Sequence, residues 1–121
     1  MYIAKKSISI VVFLGIICAV SGCAPSTVEH DAWFGQDKAL HFGVAAFIGA
    51  ESSMLAEYYG ASDTQASLVG ISWALGMGAL KELYDERVKK TYWSWKDMFW
   101  DAVGGAVGGI AGAKYSTADQ K

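Results

Sequence analysis

Three stretches of this chain consist almost entirely of apolar and small residues, and they constrain the fold more than any other feature. Ala39–Ala50, Ala66–Leu80 and Ala102–Ala113 contain no acidic or basic residue apart from His41, and Gly, Ala and Ser recur on every face. A helix that is apolar all round is either deeply buried or in lipid. Since no segment shows a convincing strand pattern, the sequence predicts an all-α fold, a small three-helix bundle with an up-down-up course.

The helix boundaries follow from capping residues. Gly60 is a suitable C-terminal cap for the first helix, and Asp63 or Thr64 is expected to cap the second. Ser94 and Asp97 have the spacing of a capping box at the start of the third. The predicted helices span about residues 37–59, 63–87 and 94–114, so that 37–114 is the helical domain and 115–121 a polar tail expected to fray.

The third predicted helix is rich in glycine. Gly104–Gly105, Gly108–Gly109 and Gly112 are spaced so that one ridge of the helix is bare backbone. Such a ridge lets helices approach closely, although each glycine costs about 1 kcal/mol of helix propensity relative to alanine. A tight bundle with a small-residue core and a bundle partly sunk into a bilayer both fit. Each apolar run is shorter than the roughly 20 residues needed to cross a membrane, and Glu51 and Asp101 would be costly in hydrocarbon.

The N-terminal segment is typical of an exported lipoprotein. Lys5 and Lys6 precede the apolar run Ile8–Val20, and small residues then lead into Cys23. A charged start, a short apolar middle and a small-residue cleavage site describe a secretory signal. A cysteine at the cut resembles a bacterial lipobox, so residues 1–22 are expected to be removed and Cys23 to carry lipid. The alternative is an ordinary signal peptide in which Cys23 is a bystander.

The mature chain would form one small domain. Cys18 leaves with the signal and Cys23 carries lipid, so no thiol remains for a disulfide or a zinc–sulfur site. The formal net charge of -2 becomes more negative once the two signal lysines are lost, and no basic stripe stands out. Nucleic acid is therefore not an expected partner. Residues 23–36 form a tether reaching at most about 50 Å, which keeps the domain close to its membrane.

Charged and hydrogen-bonding side chains gather at three predicted helix ends. In an up-down-up bundle, the start of the first helix, the end of the second and the start of the third meet at one end. Several of these residues are spaced i,i+4, so they share a helix face. We call the resulting set the polar cluster: Asp37, Lys38, His41, Lys81, Glu82, Asp85, Ser94, Lys96, Asp97 and Asp101.

Two explanations of the polar cluster remain open. It fits a structural network joining the three helices, because a buried charge needs a partner. It also fits a site for a divalent metal or a phosphate, with His41 or Asp101 as base or ligand and Lys81 binding phosphate, although the ligand spacing is not diagnostic. A catalytic serine triad is disfavoured, since Ser94 is explained as a helix cap. No cofactor is expected under the structural explanation; a divalent metal is the alternative.

Aromatic residues crowd the same predicted end. A local aromatic core would explain them, but Trp and Tyr also favour the membrane–water interface. Because the tether enters here, anchor, aromatic residues and polar cluster are expected to coincide at headgroup level. The aromatic residues are Trp33, Phe34, Tyr84, Tyr92, Trp93, Trp95, Phe99 and Trp100.

The motifs Asp31–Phe42, Lys81–Asp85 and Trp93–Asp101 with Gly104 carry a family resemblance that extends over nearly the whole mature chain. Together they resemble the YfiM-type periplasmic lipoproteins of enterobacteria and their relatives. The resemblance implies a small cell-envelope lipoprotein without established activity, whose characteristic polar positions map onto the polar cluster. The pattern is also similar, by analogy only, to VanZ-like membrane proteins. Ala24 is not the Asp that signals inner-membrane retention in such lipoproteins, so the resemblance implies the outer membrane, facing the periplasm.

The sequence thus predicts a membrane-anchored envelope lipoprotein with a structural or interaction role. The alternative is a membrane-interface hydrolase or metal-dependent enzyme acting on a phosphate-bearing lipid or an envelope glycan. A third is a membrane protein that self-associates through its glycine ridge. The expected partners are membrane lipid, through the anchor at Cys23, and either a second copy of the chain or another envelope protein.

Overall fold

Residues 33–119 are described by a computed structural model, with the side chains of residues 33–117. They form three α-helices and no strand: α1 is Gln36–Tyr58, α2 is Asp63–Arg87 and α3 is Trp95–Asp119. Each helix packs against both others, and α1 and α3 make the most extensive contact. The predicted all-α three-helix bundle is confirmed. The predicted signal peptide, Cys23 and most of the tether lie outside the described residues.

The end of α1 and the start of α2, joined by the loop of residues 59–62, are two places where the sequence predicted helix caps. Gly60 follows α1 with φ 95°, the left-handed conformation that favours glycine, as predicted for a C-terminal cap. The cap of α2 is Ser62 rather than Asp63 or Thr64. The Ser62 hydroxyl accepts from the Gln65 amide, and the Gln65 side chain accepts from the Ser62 amide. This complete capping box satisfies two amide donors at once, which explains why Ser62 takes the position.

The third helix begins with half of the predicted capping box. The Asp97 amide donates to the Ser94 hydroxyl at 3.2 Å. The Ser94 amide, however, donates to Glu82 of α2 at 3.0 Å, not to the side chain of Asp97. The Asp97 carboxylate therefore remains available to another helix. At its other end α3 continues to Asp119, beyond the predicted end at Lys114, so residues 115–119 are helical and not a frayed tail.

Stripes of small and polar residues form the interior, a single stripe on each of α1 and α2 and a double one on α3. The stripes repeat every three or four residues, which places them on one helix face. On α1 the buried residues are Lys38, His41, Ala45, Gly49, Ser53 and Glu57. On α2 they are Ala66, Gly70, Ala74, Glu82 and Asp85. The buried apolar side chains among the described residues are all alanine, so the helices must approach closely to fill the interior.

Glycines bring the backbone of α3 against both neighbouring helices. A Cβ added at Gly108 would lie 1.8 Å from the carbonyl oxygen of Ala46 on α1. One added at Gly105 would lie 2.6 Å from Cβ of Ala74 on α2. The sequence predicted one bare ridge; the structure has two, because consecutive residues point about 100° apart around a helix. Residues 104, 108 and 112 face α1, and residues 105 and 109 face α2.

The outer surface of the bundle carries its large apolar side chains. Leu68 and Trp73 of α2 are 58% and 59% exposed, whereas Glu82 and Asp101 are 1% and 3% exposed. Water-soluble domains ordinarily bury leucine and keep acidic residues at the surface. This bundle has the inverse distribution on every helix. Further exposed apolar residues are Leu40, Phe47, Leu55, Leu80, Val107 and Ile110.

Candidate functional site

The polar cluster converges at one end of the bundle, as its placement at helix ends predicted. At its centre, Lys38 of α1 forms a close ion pair with Asp97 of α3. The Lys38 Nζ also lies 3.3 Å from Oδ2 of Asp37. Lys38 is only 4% exposed, and a buried ammonium requires partners of opposite charge. The two carboxylates therefore compensate the charge of Lys38.

His41 connects all three helices. Its Nδ1 lies 3.0 Å from Oδ1 of Asp101 on α3, and its Nε2 lies 3.2 Å from Nζ of Lys81 on α2. When the imidazole is neutral, Nε2 accepts from the Lys81 ammonium, which can only donate, and Nδ1 carries the proton donated to Asp101. The Nε2 atom also lies 3.4 Å from Oδ2 of Asp97. The imidazole is therefore engaged on both nitrogens by neighbouring helices.

Lys81 extends the network along the end of α2. Its Nζ lies 2.9 Å from Oδ2 of Asp85 and 3.2 Å from Oε1 of Glu82. Lys89 lies 3.1 Å from the other oxygen of Asp85. Burial alone would raise the pKa of Asp85, but the hydrogen bonds and charges of Lys81 and Lys89 outweigh burial and lower it. Asp85 is thus held as the ionised partner of two lysines.

Glu82 joins the end of α2 to the start of α3. Its Oε2 accepts the amide of Ser94, and the first turn of a helix is a favourable place for a carboxylate. Burial raises the pKa of Glu82, and the Ser94 amide and Lys81 offset only part of that effect. Glu82 therefore accepts the hydrogen bond of the Ser94 amide, the role that the predicted capping box assigned to the side chain of Asp97.

Asp101 occupies a space left by a glycine on α2. A Cβ at Gly78 would lie 2.2 Å from Oδ2 of Asp101. This oxygen is buried and has no hydrogen-bond partner among the described residues. Sequence reasoning missed Gly78, although its position four residues after Ala74 and four before Glu82 places it on the buried stripe of α2. Gly78 therefore gives the Asp101 carboxylate room beside His41.

Lys96 contacts the aromatic residues at this end of the bundle. Its Nζ lies 5.5 Å from the ring centroid of Trp33, a cation–π contact. Trp33 also packs edge-to-face on Phe99, with centroids 5.7 Å apart, and its carbonyl accepts from Trp100 Nε1 at 2.8 Å. The predicted local aromatic packing is therefore present, while Trp95 remains 76% exposed.

A second polar group at the opposite end was not found from the sequence. The Thr117 hydroxyl of α3 lies 3.2 Å from Oε1 of Glu57 on α1 and 3.1 Å from Oδ1 of Asp63 on α2. Glu57 is buried, and it continues the four-residue spacing of the buried Gly49 and Ser53. From this spacing the sequence could have indicated that Glu57 faces the interior. The interior thus has polar groups at both ends and small residues between them.

Within the described part of the chain, one group of side chains has the residue types and proximity that suit a metal ion. Ligand atoms of Asp37, His41 and Asp97 all lie within 4.8 Å of one another. Lys38 pairs with both of these carboxylates, so its ammonium already supplies positive charge between them. A divalent ion at this position would have to displace Lys38.

Comparisons of the chain with protein-family models, curated proteins and solved structures found no match. The fold and the site define a small helical bundle with a polar, glycine-rich interior and an apolar exterior. The similarity to YfiM-type lipoproteins stays a prediction, based on three sequence motifs.

Proposed function

We propose that this chain is a lipid-anchored protein of the bacterial cell envelope with a structural or interaction role, and that its polar cluster is a junction between helices. One observation supports this most. Lys38 and His41 of α1 engage Asp97 and Asp101 of α3, while Lys81 of α2 engages His41. The charged groups therefore use their hydrogen-bonding capacity chiefly on one another, which is what a structural network requires.

Such a junction fixes how the helices pair. Replacing a buried ion pair by apolar residues is often neutral or stabilising, whereas removing one partner costs about 3–5 kcal/mol. The network is thus better explained as a device for helix register than as a source of net stability. A fixed register matters here because glycine and alanine repeats offer several similar ways to pack.

The anchor in this proposal comes from the sequence. Cys23 is the lipidated residue, Ala24 favours the outer membrane facing the periplasm, and only a short tether precedes α1. The end of the bundle that carries the polar cluster is then the end nearest the lipid. Its partners are membrane lipid and either a second copy of the chain or another envelope protein.

The junction is tested by comparing two lysines at the same end. Lys38→Ala leaves Asp97 buried without its cation, so we expect a loss of about 3–5 kcal/mol in the free energy of unfolding. Lys90→Ala removes an exposed lysine of the loop between α2 and α3 and is expected to change stability little. Chemical unfolding in detergent micelles measures both. Equal stability of the two variants would refute the junction.

The anchor is tested by Cys23→Ser. This variant is expected to lose incorporation of radioactive fatty acid and to retain its signal peptide longer, because the thiol that receives the lipid is gone. Unchanged labelling would contradict the lipoprotein proposal. Recovery of the wild-type protein mainly from the inner membrane would contradict the outer-membrane proposal while leaving lipidation intact.

A second candidate function is favoured by the unsatisfied oxygen of Asp101 beside His41. It is the membrane-interface hydrolase or metal-dependent enzyme, acting on a phosphate-bearing lipid or an envelope glycan. His41 or Asp101 would serve as base or ligand, and Lys81 would bind phosphate. Such a role requires His41 to exchange its present partners for substrate or metal.

Titration with Mg²⁺, Mn²⁺ and Zn²⁺ tests this candidate. Lys38→Met removes the ammonium between Asp37 and Asp97, so a real metal site would bind a divalent ion more tightly in this variant than in the wild type. Calorimetric binding and an ion-dependent rise in melting temperature would support the candidate. No ion response in either protein would contradict its metal-dependent form.

A further inference from the structure

We propose that the three-helix bundle itself is embedded in a lipid bilayer and that lipid hydrocarbon covers its exposed apolar side chains. We call these residues the apolar belt: Leu40, Phe47, Leu55, Leu68, Trp73, Leu80, Val107 and Ile110. This goes beyond a lipid anchor, because it places the protein's own helices in the membrane. It does not depend on whether Cys23 carries lipid.

The apolar belt is distributed over all three helices. A single protein partner or a second copy covers one face of a bundle, whereas a solvent surrounds it. Exposed apolar surface of this extent needs an apolar environment. Acyl chains supply that environment on every side, so lipid accounts for the distribution better than a docked protein does.

The length and charge of the belt match the bilayer interior. The uncharged stretch 64–80 of α2 spans about 26 Å at a rise of 1.5 Å per residue, compared with a hydrocarbon thickness of about 30 Å. On α3, Asp97 and Asp101 interrupt the apolar run in sequence, but both are buried in the interior. The apolar runs that looked too short to cross a membrane are therefore longer on the outward face.

The mean hydropathy of a whole helix understates how apolar its outward face is. Among the described residues, one helix, Gln36–Tyr58, is long and apolar enough to cross a membrane by length and composition. Mean hydropathy counts every residue, including small and charged residues that face the interior. Lipid contacts only the outward side chains, and membrane helices pack through small residues as these do. The exposed pattern on α2 and α3 is therefore the more relevant observation.

Aromatic residues flank the belt at both ends. Trp and Tyr concentrate at the two membrane–water interfaces of membrane proteins. The sequence indicated only the aromatic end near the polar cluster. The structure adds a second set at the opposite end. Exposed residues at the first end are Trp33, Tyr84 and Trp95, and those at the second end are Tyr58, Tyr59 and Tyr115.

A groove along the outer side of α2 adds a place where an acyl chain would lie. It has a volume of about 530 Å³ and a mainly apolar lining that includes Trp73, Leu80, Leu83 and Trp93. Gly76 also lines the groove, and a Cβ added there would have no atom within 4 Å, so the groove is open at this position. An acyl chain would replace water at this lining, which is favourable for apolar surface.

Glu51 is the acidic residue of α1 that lies between the two ends. It is half-buried, and its Oε2 has no hydrogen-bond partner within the described part of the chain. Acidic residues within a membrane are costly and face the bundle interior in most proteins. The partial burial of Glu51 agrees with that placement.

The embedding is tested on the full-length protein in vesicles of phosphatidylethanolamine and phosphatidylglycerol. One sample is labelled with a lipid-soluble diazirine and another with hydroxyl radicals from the aqueous phase, and mass spectrometry locates the products. Trp73 in the belt and Trp95 at the end form a matched pair, 59% and 76% exposed. We expect diazirine labelling at Trp73, Leu68 and Ile110, and a strong loss of oxidation at Trp73 relative to Trp95.

Three results would overturn the proposal. Oxidation of Trp73 as fast as Trp95 would mean that the belt faces water. Exclusion of both reagents from Trp73 would mean that protein, either a second copy or another partner, covers it. Diazirine labelling confined to one end of the helices would mean that the bundle does not cross the bilayer. The same labelling on Cys23→Ser separates embedding from lipidation, because its pattern is expected to match the wild type.

Discussion

The glycine-rich middle of the bundle and the polar cluster at its end hold the same three helices by different means. In the middle, a Cβ at Gly108 would lie 1.8 Å from a backbone oxygen of α1, so the helices are in backbone contact. At the end, paired charges such as Lys38 and Asp97 join them. The glycine spacing repeats every four residues, so a slip by one turn would preserve it. The polar cluster does not repeat. We infer that the middle sets the distance between helices and the end sets their register.

Among substitutions of the glycines, the largest effect is expected at Gly108. Gly108→Ala places a methyl group against the backbone of α1, which cannot move aside as a flexible side chain would. We expect a loss of about 3 kcal/mol, the upper part of the usual range for overpacking, measured by unfolding in detergent.

Gly76→Ala is the matched control for this substitution. A Cβ at Gly76 would have no atom within 4 Å. A variant of Gly108 that unfolds like this control would show that α1 and α3 are not in close contact.

Gly78→Ala sharpens the comparison, because Gly78 belongs to the small-residue stripe yet contacts the polar cluster. The new methyl group would displace the Asp101 carboxylate from its place beside His41, and we expect a loss of about 1–3 kcal/mol. Adding Asp101→Ala should restore part of this loss, since the clash then disappears. Additive losses in the double variant would show that Gly78 and Asp101 act independently.

The smallest expected effect is a gain at Gly43. A Cβ there would meet no atom within 4 Å, and alanine favours a helix by about 1 kcal/mol over glycine. Gly43→Ala is therefore expected to raise the melting temperature slightly. A marked loss would mean that Gly43 contacts something, such as another protein chain.

The fold could be predicted from the sequence because its signals are local. Three apolar segments, the cap at Gly60 and the meeting of helix ends in an up-down-up course all follow from residue type and spacing. Partner choice is not local. The contacts between Ser94 and Glu82 and between Lys38 and Asp97 depend on how each helix is rotated. Rotation cannot be determined from helices that are small and apolar on every face.

The exposure of large apolar side chains could not be predicted from the sequence either, because it also depends on how each helix is rotated. The sequence left both burial and immersion in lipid open for these helices, since either suits a helix that is apolar all round. Once the rotation is known, Trp73 lies outside while Glu82 and Glu57 lie inside. The rotation of the helices therefore defines which residues form the apolar belt, the surface that we propose faces lipid.

Stability measurements on His41→Ala, Asp101→Ala and the double variant, with and without divalent ions, test most directly whether the polar cluster is a junction. Each single variant is expected to lose about 1–3 kcal/mol, because a buried partner loses its hydrogen bond. The double variant should lose less than the sum, with an interaction energy of about 0.5–3 kcal/mol, and ions should change none of the values. Additive losses, or a wild-type protein stabilised by an ion in a His41-dependent way, would contradict the junction.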